Sequence, residues 1–151
     1  MLYARQFLYY YSMVSKEEIL NFVNSKILMV LSTVNSDGKP QSAVVGFGQT
    51  DSFELIFGTS VSSRKAKNIA ANKNVSVVIG WDDGGTLQYE GEAHLLSENE
   101  RAKYLDKLFE KNKKAELYKD NPEEIYYVIS PKWLRFTQLT SYPWPVTEIN
   151  F

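Results

Sequence analysis

The alternation of apolar and polar positions along the chain predicts short strands that are joined by tight turns. Residues 27–34 are apolar and rich in β-branched side chains, which is typical of a buried strand. Residues 35–38 (NSDG) then form a turn signal with a glycine suited to positive φ, and residues 40–48 predict the second strand of a hairpin. Further segments of the same character are residues 53–57, 75–81, 87–96, 125–129 and 133–139.

Helix signals are fewer than strand signals. Ser15 with Glu18, and Ser97 with Glu100, each have the spacing of a capping box ahead of an amphipathic segment. A third helix is predicted over residues 62–71. Parallel strands need a crossover between them, and these short helices do not alternate with the strands as crossovers would. The pattern therefore predicts a mainly β (α+β) fold, in which an antiparallel sheet of about six to seven strands closes as a small barrel.

The length of 151 residues fits a single domain spanning residues 1–151. Within it we expect an irregular N-terminal arm at residues 1–13 and a C-terminal tail at residues 140–151, where two prolines interrupt regular structure. No apolar run reaches the ~18 residues of a membrane span, and the first residues lack the pattern of a signal peptide. These features predict a cytoplasmic protein that does not associate with membranes.

Charge and reactive side chains narrow the possible chemistry. Seventeen Lys and Arg against eighteen Asp and Glu leave a net charge of −1, so no global basic field favours nucleic acid. The lack of cysteine excludes disulfides, thiolate metal sites and thiol nucleophiles. His94 is the one histidine, and we interpret it as structural or solvated. Glu90 and Glu92 share one strand face, and we interpret them as exposed side chains and not as a carboxylate pair for acid–base catalysis.

The loop and helix start at residues 58–68 carry the clearest candidate chemistry. A glycine- and hydroxyl-rich loop leads into a helix whose first turn holds cations, among them Arg64 and Lys65. The positive end of the helix dipole repels cations at this position, and a bound anion would offset the resulting loss of stability. A phosphate suits the two-pronged Arg64, the point charge of Lys65 and the hydroxyls of Thr59 and Ser63. The alternative is that Arg64 and Lys65 extend over a solvated helix surface.

Longer stretches of the sequence resemble a known family. The segment GTSVSSRKAKNIAANKNVSVVIGW, preceded by ILMVLSTVNSDGKPQSAVVGF, is similar to the pyridoxamine 5′-phosphate oxidase-like family of FMN-binding split barrels. The likeness continues through residues 87–93 (LQYEGEA) and covers roughly residues 15–97. It implies an antiparallel, FMN-binding split β-barrel that works as a homodimer with the flavin at the interface.

The resemblance also implies which residues contact the cofactor. Thr59, Ser63, Arg64 and Lys65 would hold the FMN phosphate, next to the start of the loop at Gly58. The strand along the isoalloxazine ring would consist of Ala43, Val44, Val45, Gly46, Phe47 and Gly48.

Contacts with the ring complete the implied site. The two glycines of the strand along the ring would permit close backbone approach. Gln88 would reach the polar edge or the ribityl chain of the flavin. Apart from the resemblance, one of the aromatic residues Trp133, Phe136, Tyr142 and Trp144 would stack on the ring system, or border it, with the flavin held mainly by the other subunit. The alternative is that these aromatic residues fill the core and the dimer contact.

The chain departs from the family's oxidases in two places. Residues 43–48 lack the Arg and Lys that those oxidases carry on this strand, and the C-terminal Arg-x-His motif is absent. We therefore expect an FMN-dependent oxidoreductase that acts on an unidentified small molecule, and not a true pyridoxamine phosphate oxidase. Two alternatives stay open: a split barrel that binds a deazaflavin or haem, and a non-catalytic flavin-binding or sensing protein.

Overall fold

The computed structural model describes residues 13–82 and 84–151. The described helices are α1 (Lys16–Asn24), α2 (Arg64–Ala71), α3 (Glu98–Lys111) and α4 (Lys113–Glu116). The described strands are β1 (Leu28–Val34), β2 (Pro40–Gly46), β3 (Gly48–Gln49), β4 (Leu55–Ser60), β5 (Asn74–Ile79), β6 (Gly85–Leu95), β7 (Glu124–Gln138) and β8 (Val146–Asn150). The arm predicted for residues 1–13 lies outside the described residues, apart from Met13.

Both predicted capping boxes are confirmed at the starts of α1 and α3. The Ser15 amide donates to the Glu18 carboxylate at 2.8 Å, and the Glu18 amide donates back to the Ser15 hydroxyl at 3.2 Å. The Ser97 amide donates to the Glu100 carboxylate at 2.9 Å in the same way. These bonds satisfy amides that the first helical turn would otherwise leave unpaired.

All strand pairs within the described residues are antiparallel, as the sequence predicts. The sheet has the order β2-β1-β5-β6-β7-β4-β3, and β8 pairs with β7. The sheet curls around a core made by its inner face, which confirms the mainly β barrel architecture. Buried side chains of this face are Met29, Leu31, Val77, Ile79, Leu87, Tyr89, Leu134 and Phe136.

One detail of the predicted strands is wrong. The sequence predicts separate strands over residues 125–129 and 133–139, but the structure has one continuous strand, β7. Pro131 lies in the middle of β7, opposite Gly91, where the register against β6 shifts. A proline is tolerated at such an irregularity because the ladder is already interrupted there.

The C-terminal tail is also more regular than predicted. Residues 146–150 form β8, which pairs with the second half of β7 from Trp133 to Thr137. The same edge of β7 pairs with β4 in its first half, so β8 covers the part that β4 leaves open. An unpaired strand edge exposes amide and carbonyl groups, and this explains why the tail is recruited into the sheet.

No helix in the described part of the chain has the length and the apolar character that crossing a bilayer requires.

Candidate functional site

The start of α2 brings three of the predicted phosphate-binding residues into one connected group. Ser63 is the N-cap, and its hydroxyl accepts a hydrogen bond from the Ala66 amide at 3.2 Å. The Thr59 hydroxyl, near the end of β4, donates to the Ser63 hydroxyl at 3.1 Å. The Lys65 ammonium donates to the Thr59 hydroxyl at 3.3 Å. Lys65 therefore folds back over the loop, which is not the direction expected of a cation that only extends into solvent.

The Arg64 side chain extends away from Lys65 and Thr59, toward the hairpin of β1 and β2. Its Nε donates to the Gln41 side-chain oxygen at 3.1 Å. The same oxygen accepts a hydrogen bond from Asn68 Nδ2 at 3.0 Å, and Asn68 Nδ2 also donates to the Thr33 hydroxyl at 2.9 Å. Arg64 is thus held by a network that the sequence analysis missed. Gln41 could have been found from the strand alternation, since it lies two residues before Ala43 and on the same face.

A pocket of about 320 Å³ opens between the first turn of α2 and the hairpin. Its walls combine apolar and hydroxyl side chains with two cations, and none of these described residues is acidic. The lining residues are Leu31, Thr33, Pro40, Gln41, Ser42, Ala43, Arg64 and Lys65. Such a pocket suits a ligand with an anionic end and an apolar body.

Glu124 is a carboxylate close to this group of residues. It lies at the start of β7 and pairs with Ser60 on β4. Burial raises the pKa of Glu124 above its ordinary value, and the positive charge of Lys65 opposes that rise. A Cβ on Gly58 would come within 2.5 Å of Glu124 Oε1, so the predicted site residue Gly58 makes room for this carboxylate.

We expect Glu124→Gln to stabilise the protein near pH 7 and to lose this advantage as the pH falls toward 4. Because the folded-state pKa of Glu124 is raised, the protonated carboxyl does not destabilise the folded protein at low pH. As the pH rises through the folded pKa, the carboxyl ionises in its partly buried position, and the free energy of unfolding falls. Glutamine is neutral at every pH and therefore avoids this loss of stability. Thermal melting of both proteins between pH 4 and pH 8 measures the effect, with exposed Glu123→Gln as the control. Parallel pH profiles for wild type and Glu124→Gln would contradict the prediction.

The predicted ring-binding strand is interrupted at Phe47, between the end of β2 at Gly46 and the start of β3 at Gly48. Ala43 lines the pocket, whereas Val44 lies on the opposite, exposed face and Val45 is buried. A Cβ on Gly48 would lie 2.6 Å from the Leu108 Cα, and one on Gly46 would collide with the Asn112 side chain. The close backbone approach that we predicted for these glycines is therefore made to the end of α3 in the described chain.

Phe47 lies between these glycines and is fully buried. The Lys111 ammonium sits 3.7 Å from the centre of the Phe47 ring and donates to the Val23 carbonyl oxygen at 2.8 Å. Burial lowers the pKa of Lys111 to about 7. Phe47 thus belongs to the packing between the barrel and α3, and its side chain does not line the pocket.

Gln88 and Trp133 lie on the outer face of the sheet, away from the pocket. Gln88 pairs with Val78 on one side and with Arg135 on the other, and it is exposed. Trp133 alternates with the fully buried Leu134 and therefore faces outward. Leu31, Thr33 and Ala43 face the other way, so one chain does not bring Gln88 and Trp133 to the pocket.

The same outer face carries a row of apolar side chains. Val44, Val30 and Val78 are opposite one another on the neighbouring strands β2, β1 and β5. Val44 is 60% exposed and Val78 is 37% exposed. Because the solvent-facing side of an antiparallel sheet is normally polar, this row is more typical of a face that another molecule covers.

The remaining candidates do not form a metal or acid–base site. Residues 13–82 and 84–151 contain no group of three or more His, Asp and Glu arranged around a metal position. Glu92 lies close to two cations, with the Lys73 ammonium at 3.2 Å and the Lys132 ammonium at 3.8 Å, and His94 Nε2 lies 3.9 Å away. The hydrogen bond from Lys73, more than any other contact, lowers the pKa of Glu92. A carboxylate in that state is a poor proton donor at neutral pH.

The antiparallel sheet order places the chain among the split-barrel proteins. The family model for pyridoxamine 5′-phosphate oxidase matches residues 15–138, and the chain belongs to this family. A pyridoxine/pyridoxamine 5′-phosphate oxidase from Ehrlichia ruminantium is 32% identical over 90 residues, which cover 59% of this chain and 46% of the relative. The matched region is thus less than half the length of that relative.

Solved structures share the fold at low sequence identity. A haem-binding protein from Mycobacterium smegmatis has a TM-score of 0.77 at 17% identity, with 89% of this chain and 57% of that chain covered. A haem storage protein from Vibrio cholerae has a TM-score of 0.69 at 17% identity, with 80% and 91% covered. These similarities confirm the split-barrel fold that the sequence predicts.

Proposed function

We propose that this protein is a homodimeric flavoprotein that binds FMN and acts as an oxidoreductase on a small molecule in the cytoplasm. The observation that carries the proposal is the pocket beside α2, where Arg64 and Lys65 line one wall and Ala43 and Leu31 line another. Membership of the pyridoxamine 5′-phosphate oxidase family supports it independently.

The residues at the pocket have the chemistry that FMN requires. Arg64 offers a planar fork for two phosphate oxygens, and Lys65 adds a point charge. Beside the pocket, the Ser63 hydroxyl and the backbone amides at the start of α2 would add neutral donors to the same anion, and the Thr59 hydroxyl, which bonds to both Ser63 and Lys65, would hold these two residues in place. A bound flavin would supply hydride or electron transfer, and the protein would supply binding and orientation.

The homodimer would complete the flavin site. Gln88 and Trp133 lie on the outer face and the phosphate-binding residues lie at the pocket, so we assign these two groups to different subunits of one site. The exposed valine row on the same face provides apolar area for the contact between subunits.

Val44→Asp is expected to convert the dimer to a monomer, because it places two unpaired carboxylates in the proposed interface. Light scattering after size-exclusion chromatography measures the mass directly. Leu117→Asp is the matched control, since Leu117 is 81% exposed and lies at the end of α4, outside the sheet. A monomeric wild type, or a dimeric Val44→Asp variant, would contradict this arrangement.

The substrate is proposed to differ from that of the curated relatives. On β2 the pocket presents Gln41, Ser42 and Ala43, which carry no charge. A second phosphate, such as that of pyridoxamine phosphate, would therefore find no cation on this strand. We propose a small substrate without a phosphate group, and we expect no turnover of pyridoxamine phosphate.

The cofactor is tested by the visible spectrum of the purified protein and by mass spectrometry of the released ligand. We expect the absorption of an oxidised flavin and the mass of FMN, either directly or after incubation with FMN. A protein that stays colourless after incubation would contradict the proposal. Bound FMN that neither a nicotinamide donor nor any candidate substrate reduces would instead support a non-catalytic flavin-binding or sensing protein.

Haem is the second candidate, because two proteins of the same fold are described as binding or storing haem. The two cofactors differ in spectrum, since haem has an intense Soret band and flavin has none. A deazaflavin is distinguished from FMN by mass. If haem binds, His94 is the one imidazole available as an axial ligand, and His94→Ala would remove that ligand.

A further inference from the structure

The network between Arg64 and β2 includes polar groups to which the proposed function assigns no role. Thr33 is 2% exposed and Asn68 is 7% exposed, so both are buried polar side chains that need partners. Asn68 bonds to Thr33 and to Gln41, and Gln41 in turn bonds to Arg64. The buried Asn68, itself bonded to the buried Thr33, therefore holds the Gln41 side chain in one orientation.

The chemistry of Arg64 determines which end of the Gln41 amide faces it. A guanidinium nitrogen only donates, so its partner at 3.1 Å is the amide oxygen of Gln41. That oxygen also accepts the Asn68 hydrogen bond at 3.0 Å. The Gln41 NH₂ group finds no acceptor among the described residues, and Gln41 lines the pocket.

The hydrogen bond to Gln41 leaves the terminal nitrogens of Arg64 available. Gln41 engages Nε, and no other hydrogen bond or ion pair of Arg64 occurs within residues 13–82 and 84–151. The fork of Nη1 and Nη2 is the edge that binds two oxygens of an anion. A long arginine side chain held at Nε loses less conformational freedom on binding than a free one.

We propose that Gln41 is a positioning residue that orients Arg64 and thereby gives the pocket its preference for a phosphate monoester over an uncharged ligand. The proposal rests on the proposed FMN site and specifies how that site recognises the phosphate. Gln41 acts only through Arg64, because its side-chain oxygen holds Arg64 Nε and leaves the terminal guanidinium nitrogens for the phosphate.

The test compares the binding of FMN and riboflavin, which differ only in the phosphate, by quenching of flavin fluorescence. Gln41→Met keeps the length of the side chain but removes the acceptor. We expect it to weaken FMN binding about tenfold and to leave riboflavin binding unchanged. In the Arg64→Ala background the same substitution is expected to have no further effect, because its action requires Arg64.

Two further variants keep the test decisive. Gln138→Met is the matched control, since it makes the same change at a glutamine of β7 that does not line the pocket. Gln41→Glu retains an acceptor for both Arg64 and Asn68, so it is expected to fold, and its charge should weaken FMN binding far more than riboflavin binding.

The outcomes separate this inference from the proposed function. A wild type that binds FMN no better than riboflavin overturns the phosphate site and the role of Gln41 together. A wild type that prefers FMN, with a preference that Gln41→Met and Gln41→Glu do not change, overturns only the role of Gln41. If the losses of FMN affinity caused by Gln41→Met and Arg64→Ala simply add in the double variant, Gln41 does not act through Arg64. That result would also overturn the proposed role of Gln41.

Discussion

Replacing Arg64 and Lys65 together by alanine is expected to weaken FMN binding by at least about 30-fold, or ~2 kcal/mol. Each side chain makes charge-assisted hydrogen bonds to the phosphate in the proposed site, and such bonds contribute more than neutral ones. The loss is expected in affinity and not in folding, because both residues lie in the first turn of α2 and neither is buried in the core.

The control for this prediction lies on the same helix. Lys67 is exposed and does not line the pocket, so Lys67→Ala removes one positive charge without removing a phosphate contact. Titration with FMN followed by fluorescence gives both dissociation constants, and thermal melting checks the fold. If the double variant binds FMN as tightly as Lys67→Ala does, Arg64 and Lys65 do not hold the phosphate.

The second large effect is expected for Gly48→Ala, which should destabilise the protein by about 3 kcal/mol. The added Cβ would lie 2.6 Å from the Leu108 Cα and 2.7 Å from the Lys107 carbonyl oxygen. These are backbone atoms of α3, which can move only if the helix shifts as a whole. The barrel and α3 would have to separate at a contact that also includes the buried Phe47.

Gly46→Ala is the matched comparison two residues away. Its Cβ would collide only with the end of the Asn112 side chain, which can rotate to another rotamer. We therefore expect a loss well below that of Gly48→Ala in the free energy of unfolding from denaturant titration. Equal losses for the two variants would mean that the contact between Gly48 and α3 does not limit stability.

Several parts of the fold were predictable because their signals are local. The capping boxes at Ser15 and Ser97 join residues three positions apart, and both are present. The hairpin of β1 and β2 follows from a four-residue turn between two strands. The cationic start of α2 needs only the order of residues 58–68. Short-range geometry is nearly independent of the rest of the chain, and this is why these predictions hold.

The errors occurred where a local signal competes with a distant partner. Pro131 interrupts a strand locally, but its position opposite Gly91 at the register shift of β6 allows β7 to continue. Two prolines predict an irregular tail, yet the free edge of β7 recruits residues 146–150 into β8. In both cases pairing with another strand outweighs the local preference.

The sequence by itself determined the strand and helix segments, the antiparallel class of the sheet and the cationic loop, since each depends on neighbours along the chain. Only the tertiary structure decided that Gln41 holds Arg64, that Gly48 packs against α3 and that Gln88 and Trp133 face away from the pocket. The physical reason is that these contacts join residues far apart in sequence. Their geometry follows from strand order, register and the curl of the sheet, which no window of neighbouring residues contains.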